Sequence, residues 1–248
     1  MKAARFDYAR PADVGEALAA LASAQGAKIL AGGQSLGPML NLRLARPALL
    51  VDISRLKALQ QLEDTGRAWH IGAGVTHARL EDARGRLSGG EMLCEVAAAI
   101  AYRSVRNRGT IGGSLAHADP AADWPLALAA LGASVNVRGP TPRKTLVAHF
   151  IQGAFTTTLA ADEIIESIDV PKVARGTVWL LQILSQDGRI CRSERGHRVR
   201  SGIRRGEHLS RCAARNTAAA HVIGAAGGKA GEDCCLNRGR EPGARAVG

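Results

Sequence analysis

Two glycine pairs, Gly32-Gly33 and Gly112-Gly113, are the residues in this chain best placed to do chemistry. Each is edged by hydroxyls, Ser35 beside the first and Thr110 and Ser114 beside the second. A diphosphate needs several N–H donors on a backbone that can come close to it. Glycine permits both, because it has no Cβ and adopts positive φ readily. Two such nests can close on one pyrophosphate from opposite sides. Neither is a Rossmann fingerprint, which requires G-x-G-x-x-G between strand and helix. No lysine follows the glycines in the G-x-x-x-x-G-K-[ST] manner, which disfavours a nucleotide triphosphatase. A lone glycine pair most simply makes a tight turn. Two pairs with flanking hydroxyls, the second followed by His117-Ala118-Asp119-Pro120 and Asp123, bring a nucleotide-type ligand level with that plain reading.

The remaining reactive side chains suggest less. Asp123 precedes Trp124-Pro125 and fits a helix N-cap, since proline is favoured in the first turn. His70, His77 and His117 have no acid at a telling spacing, so they read as hydrogen-bonded surface or loop histidines rather than catalysts. Arg103 reads as a solvated edge. Arg106 and Arg108 fit either that role or a counter-charge to a diphosphate. The cysteines Cys94, Cys191, Cys212, Cys234 and Cys235 form no C-x-x-C pair, and Cys234-Cys235 is too tight for a metal knuckle. No catalytic acid, base or nucleophile and no metal-ligating set emerges.

The elements that must carry the glycines alternate between helix and strand. Pro11 suits a first turn, and Val14, Ala17, Leu18 and Leu21 recur at helical spacing. Lys28-Ile29-Leu30 reads as a short buried strand running into the first glycine pair, and Leu49 to Ile53 as a second strand. Trp69 to Gly74 is a third, ending in a glycine turn. An Ala- and Leu-rich helix spans about Gly90 to Tyr102. Arg106 to Ser114 reads as a loop holding three glycines. A short helix over Leu126 to Leu131 follows, then strands over Ala133 to Val137 and Glu163 to Val170, the last stopped by Pro171. This mixture predicts an α+β domain.

Composition narrows the setting. Hydrophobic residues make up 46% of the 248, enough for a core, while 3% aromatics means that core is built from Ala, Leu, Val and Ile. No apolar run reaches membrane-spanning length, and the first residues lack a secretory signal, so a cytoplasmic protein is expected. The net charge of +11 would suit nucleic acid, but it is concentrated late. Residues 176–248 hold 13 Lys and Arg against 6 Asp and Glu, and the rest of the chain 20 against 16. Nucleic acid is therefore a poor partner for the domain itself. The basic tail also lacks interleaved aromatics for base stacking.

Four segments, in order, carry a family resemblance: AGGQSLGPMLNLRLARPALLVDI, GAGVTHARLE, VRNRGTIGGSLAHADPAADWPLALAALGA and DEIIESIDVP. From Phe6 to Pro171 the chain resembles the FAD-binding medium subunit of molybdenum hydroxylases, of the aerobic carbon monoxide dehydrogenase type and related to the FAD domain of xanthine dehydrogenase. The resemblance implies a two-subdomain FAD-binding fold of the vanillyl-alcohol-oxidase-like (PCMH) kind over residues 1–175, divided at about 1–55 and 56–175. It implies that Ala31, Gly32, Gly33, Gln34, Ser35 and Leu36, with Thr110, Ile111, Gly112, Gly113 and Ser114, wrap the FAD diphosphate. It places Asp123 beside the sugar part and Ile165 as an apolar contact to the cofactor, although a core strand residue would also explain Ile165. The implied partners are an iron–sulfur small subunit and a molybdopterin large subunit. Electrons would pass from the molybdenum centre through the clusters to FAD and on to an acceptor. A stand-alone FAD oxidoreductase would need a substrate domain with its own acid–base residues, and the tail offers none.

The resemblance ends near Arg175. Residues 176–248 contain no Phe or Tyr, one Trp and runs such as Arg198-Val199-Arg200, which is poor core material. The expectation is an atypical, poorly folded basic segment, read as the frameshifted remnant of a C-terminal domain. The readings beside it are a real divergent domain, a nucleic-acid-binding arm on a flavin-domain remnant, and a non-functional product. Permissible codons for Trp179 through Ser201, read two bases out of phase, yield a stretch resembling the family's continuation. Sequencing the coding DNA should reveal that continuation in another frame, and its absence from every frame would refute the frameshift.

Overall fold

A computed structural model describes residues 2–172, together with the backbone of two short strands further on. The readings made above for the segment after residue 172 lie outside the described residues, those two strands apart.

In chain order the elements are β1 (Asp7–Ala9), α1 (Val14–Ser23), β2 (Lys28–Leu30), α2 (Leu36–Asn41) and β3 (Leu49–Asp52). A 3-10 turn at Lys57–Gln60 leads to β4 (Leu62–Asp64), β5 (Ala68–Gly72), α3 (His77–Asp82), α4 (Glu91–Ala99) and α5 (Arg103–Arg106). Then come α6 (Ile111–His117), α7 (Asp123–Ala130), β6 (Ser134–Arg138), β7 (Arg143–Leu146) and α8 (Val147–Phe150). The described domain closes with β8 (Ile151–Gly153), β9 (Thr156–Thr157) and β10 (Ile164–Pro171). The two later strands, β11 (Gln182–Leu184) and β12 (Ile190–Arg192), pair antiparallel.

Local chemistry explains the entry into the fold. The Asp13 carboxylate caps α1 by accepting from the Glu16 N–H at 2.8 Å, and the Glu16 carboxylate reaches back to the Ala12 N–H at 2.8 Å. This reciprocal arrangement satisfies amides that a helix start would leave without partners. Ala17 and Leu21 then face inward from α1 onto Val51 and Ile53. Next to them, β3 lies between β1 and β2 in a parallel three-stranded sheet.

The second sheet is antiparallel, in the order β4-β5-β10-β6-β7. One face packs on α4, α6 and α7 in the larger core, where Trp124, Leu128, Ile71, Ile168 and Val135 are completely buried. Central strand β10 joins the two cores. Ile164 belongs to the N-terminal cluster, with Leu56 and Leu59, while Ile165, Ile168 and Val170 belong to the larger one. Alternation along the strand sends Ile164 and Ile165 to different cores, and a shift in register between Ile165 and Ser167 lets Ile165 and Ile168, three positions apart, face the same one. Pro171 is the last residue of β10, paired with Ala68, rather than a stop placed after it.

The opposite face of this sheet is polar. The His70 Nδ1 lies 2.7 Å from Asp169 Oδ1, and the other oxygen of Asp169 accepts from Lys144 Nζ at 2.6 Å and Asn136 Nδ2 at 2.9 Å. Burial opposes charge on Asp169, but the bonds from Lys144, Asn136 and His70 outweigh it and hold the carboxyl below its ordinary range. His70 is thus a hydrogen-bonded, partly exposed histidine as expected, though on a strand rather than a loop. His70 and Asp169 are cross-strand partners in the β5–β10 ladder, far apart in sequence.

No described helix is long and apolar enough to cross a membrane. Because Ile168 is fully buried on the central strand, Ile168→Ala should destabilise the domain by about 2–5 kcal/mol in chemical unfolding. A loss below about 1 kcal/mol would contradict the central place of β10 in the core.

Candidate functional site

The first glycine pair lies in the turn from β2 into α2. Gly33 has φ +68°, a conformation that glycine adopts without strain, and its carbonyl accepts from the Gly37 N–H at 2.8 Å to begin the helix. Gln34 Nε2 donates back to the Gly32 carbonyl at 3.0 Å, which tightens the turn. Among the described residues, the amides of Gly32, Gly33, Gln34 and Ser35 donate to no protein acceptor. They form a row of available donors.

Gly32 also meets the second segment. A Cβ added there would lie 2.6 Å from the carbonyl carbon of Arg108 and 2.9 Å from the Gly109 Cα, closer than real Cβ atoms come. The chain entering the second glycine pair therefore rests on the backbone of the first. The structure thus brings the first glycine pair against the residues that lead into the second.

The second segment differs from its expected form. Instead of a three-glycine loop over Arg106 to Ser114, α5 ends at Arg106 and α6 begins at Ile111. Thr110 caps α6, its Oγ1 accepting from the Gly113 N–H at 3.1 Å. Ile111 N–H donates to the Val75 carbonyl and Gly112 N–H to the Ala73 carbonyl, both at 3.0 Å, while Ser114 N–H reaches the Thr110 carbonyl at 3.0 Å. These amides are used inside the protein. Gly112 is small for packing, because a Cβ there would come within 2.8 Å of both the Cα and the oxygen of Ala73. The threonine placed three residues before Gly113 was the legible start signal, and the glycines obscured it. What this segment offers a ligand is the half-buried hydroxyl of Ser114 and the remaining hydrogen-bonding capacity of the buried Thr110 hydroxyl, whose Oγ1 already accepts from Gly113.

Asp123 is the first residue of α7, and Ala122 occupies the cap position, so the N-cap reading of Asp123 is corrected. Its half-buried carboxylate has no hydrogen-bond partner among the described residues, and burial raises its pKa. Ile165 is 4% exposed and sits in the larger core. Arg103 pairs with Glu81 and Asp82, and Arg106 with Glu81 and the carbonyls of Ile100 and Ala101. Both arginines tie α5 to its surroundings.

The expectation for His77 also differs from the structure. The residue is buried, not at the surface, at the start of α3. Its Nδ1 accepts from Trp124 Nε1 at 3.0 Å, and its backbone N–H donates to the Gly109 carbonyl at 2.9 Å. No spacing rule points to a pair 47 positions apart.

Comparison with known proteins decides what kind of site this is. A model of the FAD binding domain in molybdopterin dehydrogenase matches residues 4–173. The chain belongs to this family. Within it, the FAD-binding domain is 39% identical over 177 residues to the nicotine 6-hydroxylase medium subunit of Paenarthrobacter nicotinovorans, covering 71% of this chain and 62% of that one. It is 40% identical over 187 residues to the carbon monoxide dehydrogenase medium chain of Hydrogenophaga pseudoflava, covering 73% and 64%. The solved carbon monoxide dehydrogenase from Hydrogenophaga pseudoflava that lacks the Mo-pyranopterin moiety has a TM-score of 0.68 and 39% identity, covering 76% of this chain and 67% of that one. Quinoline 2-oxidoreductase from Pseudomonas putida 86 also has a TM-score of 0.68, with 37% identity and coverage of 70% and 61%. The chain spans about three-fifths of the length of the curated relatives it matches.

Burial pushes the pKa of His77 down to about 4, with Arg106 adding to the effect. The unfolded chain therefore takes up this proton first, at its ordinary value of 6.5. Stability present above that value should fall as pH drops towards 4, by on the order of 3 kcal/mol once the window is crossed. The carboxyls of Glu81, Asp82 and Asp169, held below their ordinary values, contribute mostly at lower pH. Denaturant unfolding at pH 7, 6 and 5 should show this slope in the wild type and a flatter one in His77→Gln. Parallel profiles would contradict the assignment.

Proposed function

We propose that this chain is the FAD-binding, electron-transfer subunit of a molybdenum-containing hydroxylase or dehydrogenase. It would take electrons from iron–sulfur clusters and pass them to an external acceptor. The observation that carries the reading is the contact of Gly32 with Arg108 and Gly109, which sets the row of amides at the first glycine pair, without acceptors among the described residues, next to the chain that enters the second. The family match to an FAD-binding domain supplies the identity of the ligand.

In this reading each part of the site has its own role. Ala31, Gly32, Gly33, Gln34, Ser35 and Leu36 line one side of the diphosphate, and the amides from Gly32 to Ser35 are the donors. Thr110, Ile111, Gly112, Gly113 and Ser114 line the other side. There Thr110 and Ser114 offer hydroxyls, and the close seat of Gly112 on Ala73 brings the segment in. Asp123 has no hydrogen-bond partner among the described residues and suits the sugar hydroxyls of the cofactor, because a carboxylate accepts strong hydrogen bonds from them. Ile165 acts as part of the apolar wall behind the site.

FAD, when bound, supplies the electron-accepting and electron-donating chemistry. The chain's residues bind and orient it, and none is assigned as acid, base or nucleophile. Relatives are named as medium chains and medium subunits, which supports partners in the form of an iron–sulfur small subunit and a molybdopterin large subunit. Substrate oxidation would then take place on the large subunit. The reading assigns residues 1–175 to the cofactor domain, in parts of about 1–55 and 56–175, and leaves 176–248 as a basic tail. The N-terminal core, however, draws Leu56, Leu59 and Ile164 from across that division.

Expression of the full chain and reconstitution with FAD should give the visible absorption bands of bound flavin. Gly32→Ala should weaken binding by roughly tenfold or more, since the added methyl forces the two segments apart and tenfold corresponds to about 1.4 kcal/mol. Wild-type protein that shows no flavin bands after reconstitution would overturn the proposal.

A further inference from the structure

We propose that His77 is the positioning residue that locks the two halves of the cofactor site together, through a hydrogen bond that needs its ring as an acceptor. The proposal rests on the FAD reading above and concerns what holds that site in shape.

Three segments must be in register for one ligand to span them: the first glycine turn, the second glycine segment and the start of α7 with Asp123. His77 touches two of them directly and the third through one residue. Its backbone N–H donates to the Gly109 carbonyl, and its ring faces the same residue closely. A Cβ on Gly109 would lie 2.7 Å from Nε2 and 2.8 Å from Cδ2. Gly109 in turn lies under Gly32. On its other side, Nδ1 accepts from the indole of Trp124, which follows Asp123 on α7 and is completely buried. The rings are tilted at 33° with centroids 5.9 Å apart, so the contact is a directed hydrogen bond rather than a stack. A neighbouring bridge between Thr76 and Thr110 holds the same strip of chain.

The chemistry of the pair fixes the state of the ring. Indole N–H can only donate, so Nδ1 must be bare and the remaining proton sits on Nε2. Burial keeps the ring neutral at physiological pH, which preserves that acceptor. An apolar replacement would leave the Trp124 N–H buried without a partner. The α7 start would then move to satisfy it, carrying Asp123 away from the second glycine segment. A residue that filled space alone would not care whether its neighbour had an acceptor.

The test compares FAD dissociation constants and apo-chain melting temperatures for the full-length wild type, His77→Leu, His77→Asn and Trp124→Phe. Asn can return an acceptor oxygen close to where Nδ1 stood. We expect His77→Leu to weaken FAD binding roughly tenfold to a hundredfold, the range that follows from one unsatisfied buried donor. His77→Asn should recover most of that loss while melting no higher than His77→Leu. Trp124→Phe removes the same bond from the other side, so it should weaken binding in the same direction. It also keeps the proposal testable if His77→Leu does not fold. The double variant His77→Leu with Trp124→Phe should bind no worse than Trp124→Phe alone. Affinity within twofold of wild type in either Trp124→Phe or a folded His77→Leu would overturn this role while leaving the FAD reading intact. So would equal losses in the Leu and Asn variants. A wild type that binds no FAD would overturn both.

Discussion

The described domain depends on one close approach: the backbone at Gly32 lying against the backbone at Arg108 and Gly109. No side chain fits between them, so position 32 has to be glycine for the two segments to touch. The parallel three-stranded sheet delivers one partner in this contact, at the end of β2. The helices packed on the antiparallel sheet deliver the other, between α5 and α6. The two cores meet along β10 and at Leu59, whose carbonyl accepts from the Gly74 N–H at 2.7 Å.

The two glycine pairs look alike in sequence and act differently in space. At the first, the amides remain available because the chain turns with Gly33 at positive φ and no strand or helix claims them. At the second, Thr110, Ala73 and Val75 take up the amides, and the glycine serves to let α6 seat on Ala73. One side of the site works by donating from its main chain. The other works by close packing, with hydroxyls at its edge and, further along, a carboxylate that has no partner among the described residues. A ligand with an anionic middle and hydroxylated flanks suits that division, and FAD is such a ligand.

What could be read from the sequence follows from the range of the interactions involved. Helix α1, strands β2, β3, β5, β6 and β10 and the site glycines all carry local signals: periodicity, apolar runs or turn residues. The resemblance across Phe6 to Pro171 agrees with the family match over residues 4–173. What escaped depends on contacts between distant positions. His70 finds Asp169 only because β5 and β10 pair, and His77 finds Trp124 only because α3 packs near α7. Helix α6 escaped for the opposite reason, since its two glycines are poor helix formers and tertiary packing on Ala73 overrides that local preference. Edge elements such as β1, β4 and β7 contain no buried residue, so their sequences carry no apolar pattern to stand out.

The most direct test of this account is amide hydrogen exchange, followed residue by residue with and without FAD. Without FAD, the amides from Gly32 to Ser35 should exchange readily, while those of Ile111, Gly112 and Gly113 should already be slow. Adding FAD should slow the first group markedly and change the second little. If FAD left Gly32 to Ser35 unprotected, or protected only positions remote from both glycine pairs, the claim that these segments close on one cofactor would be wrong.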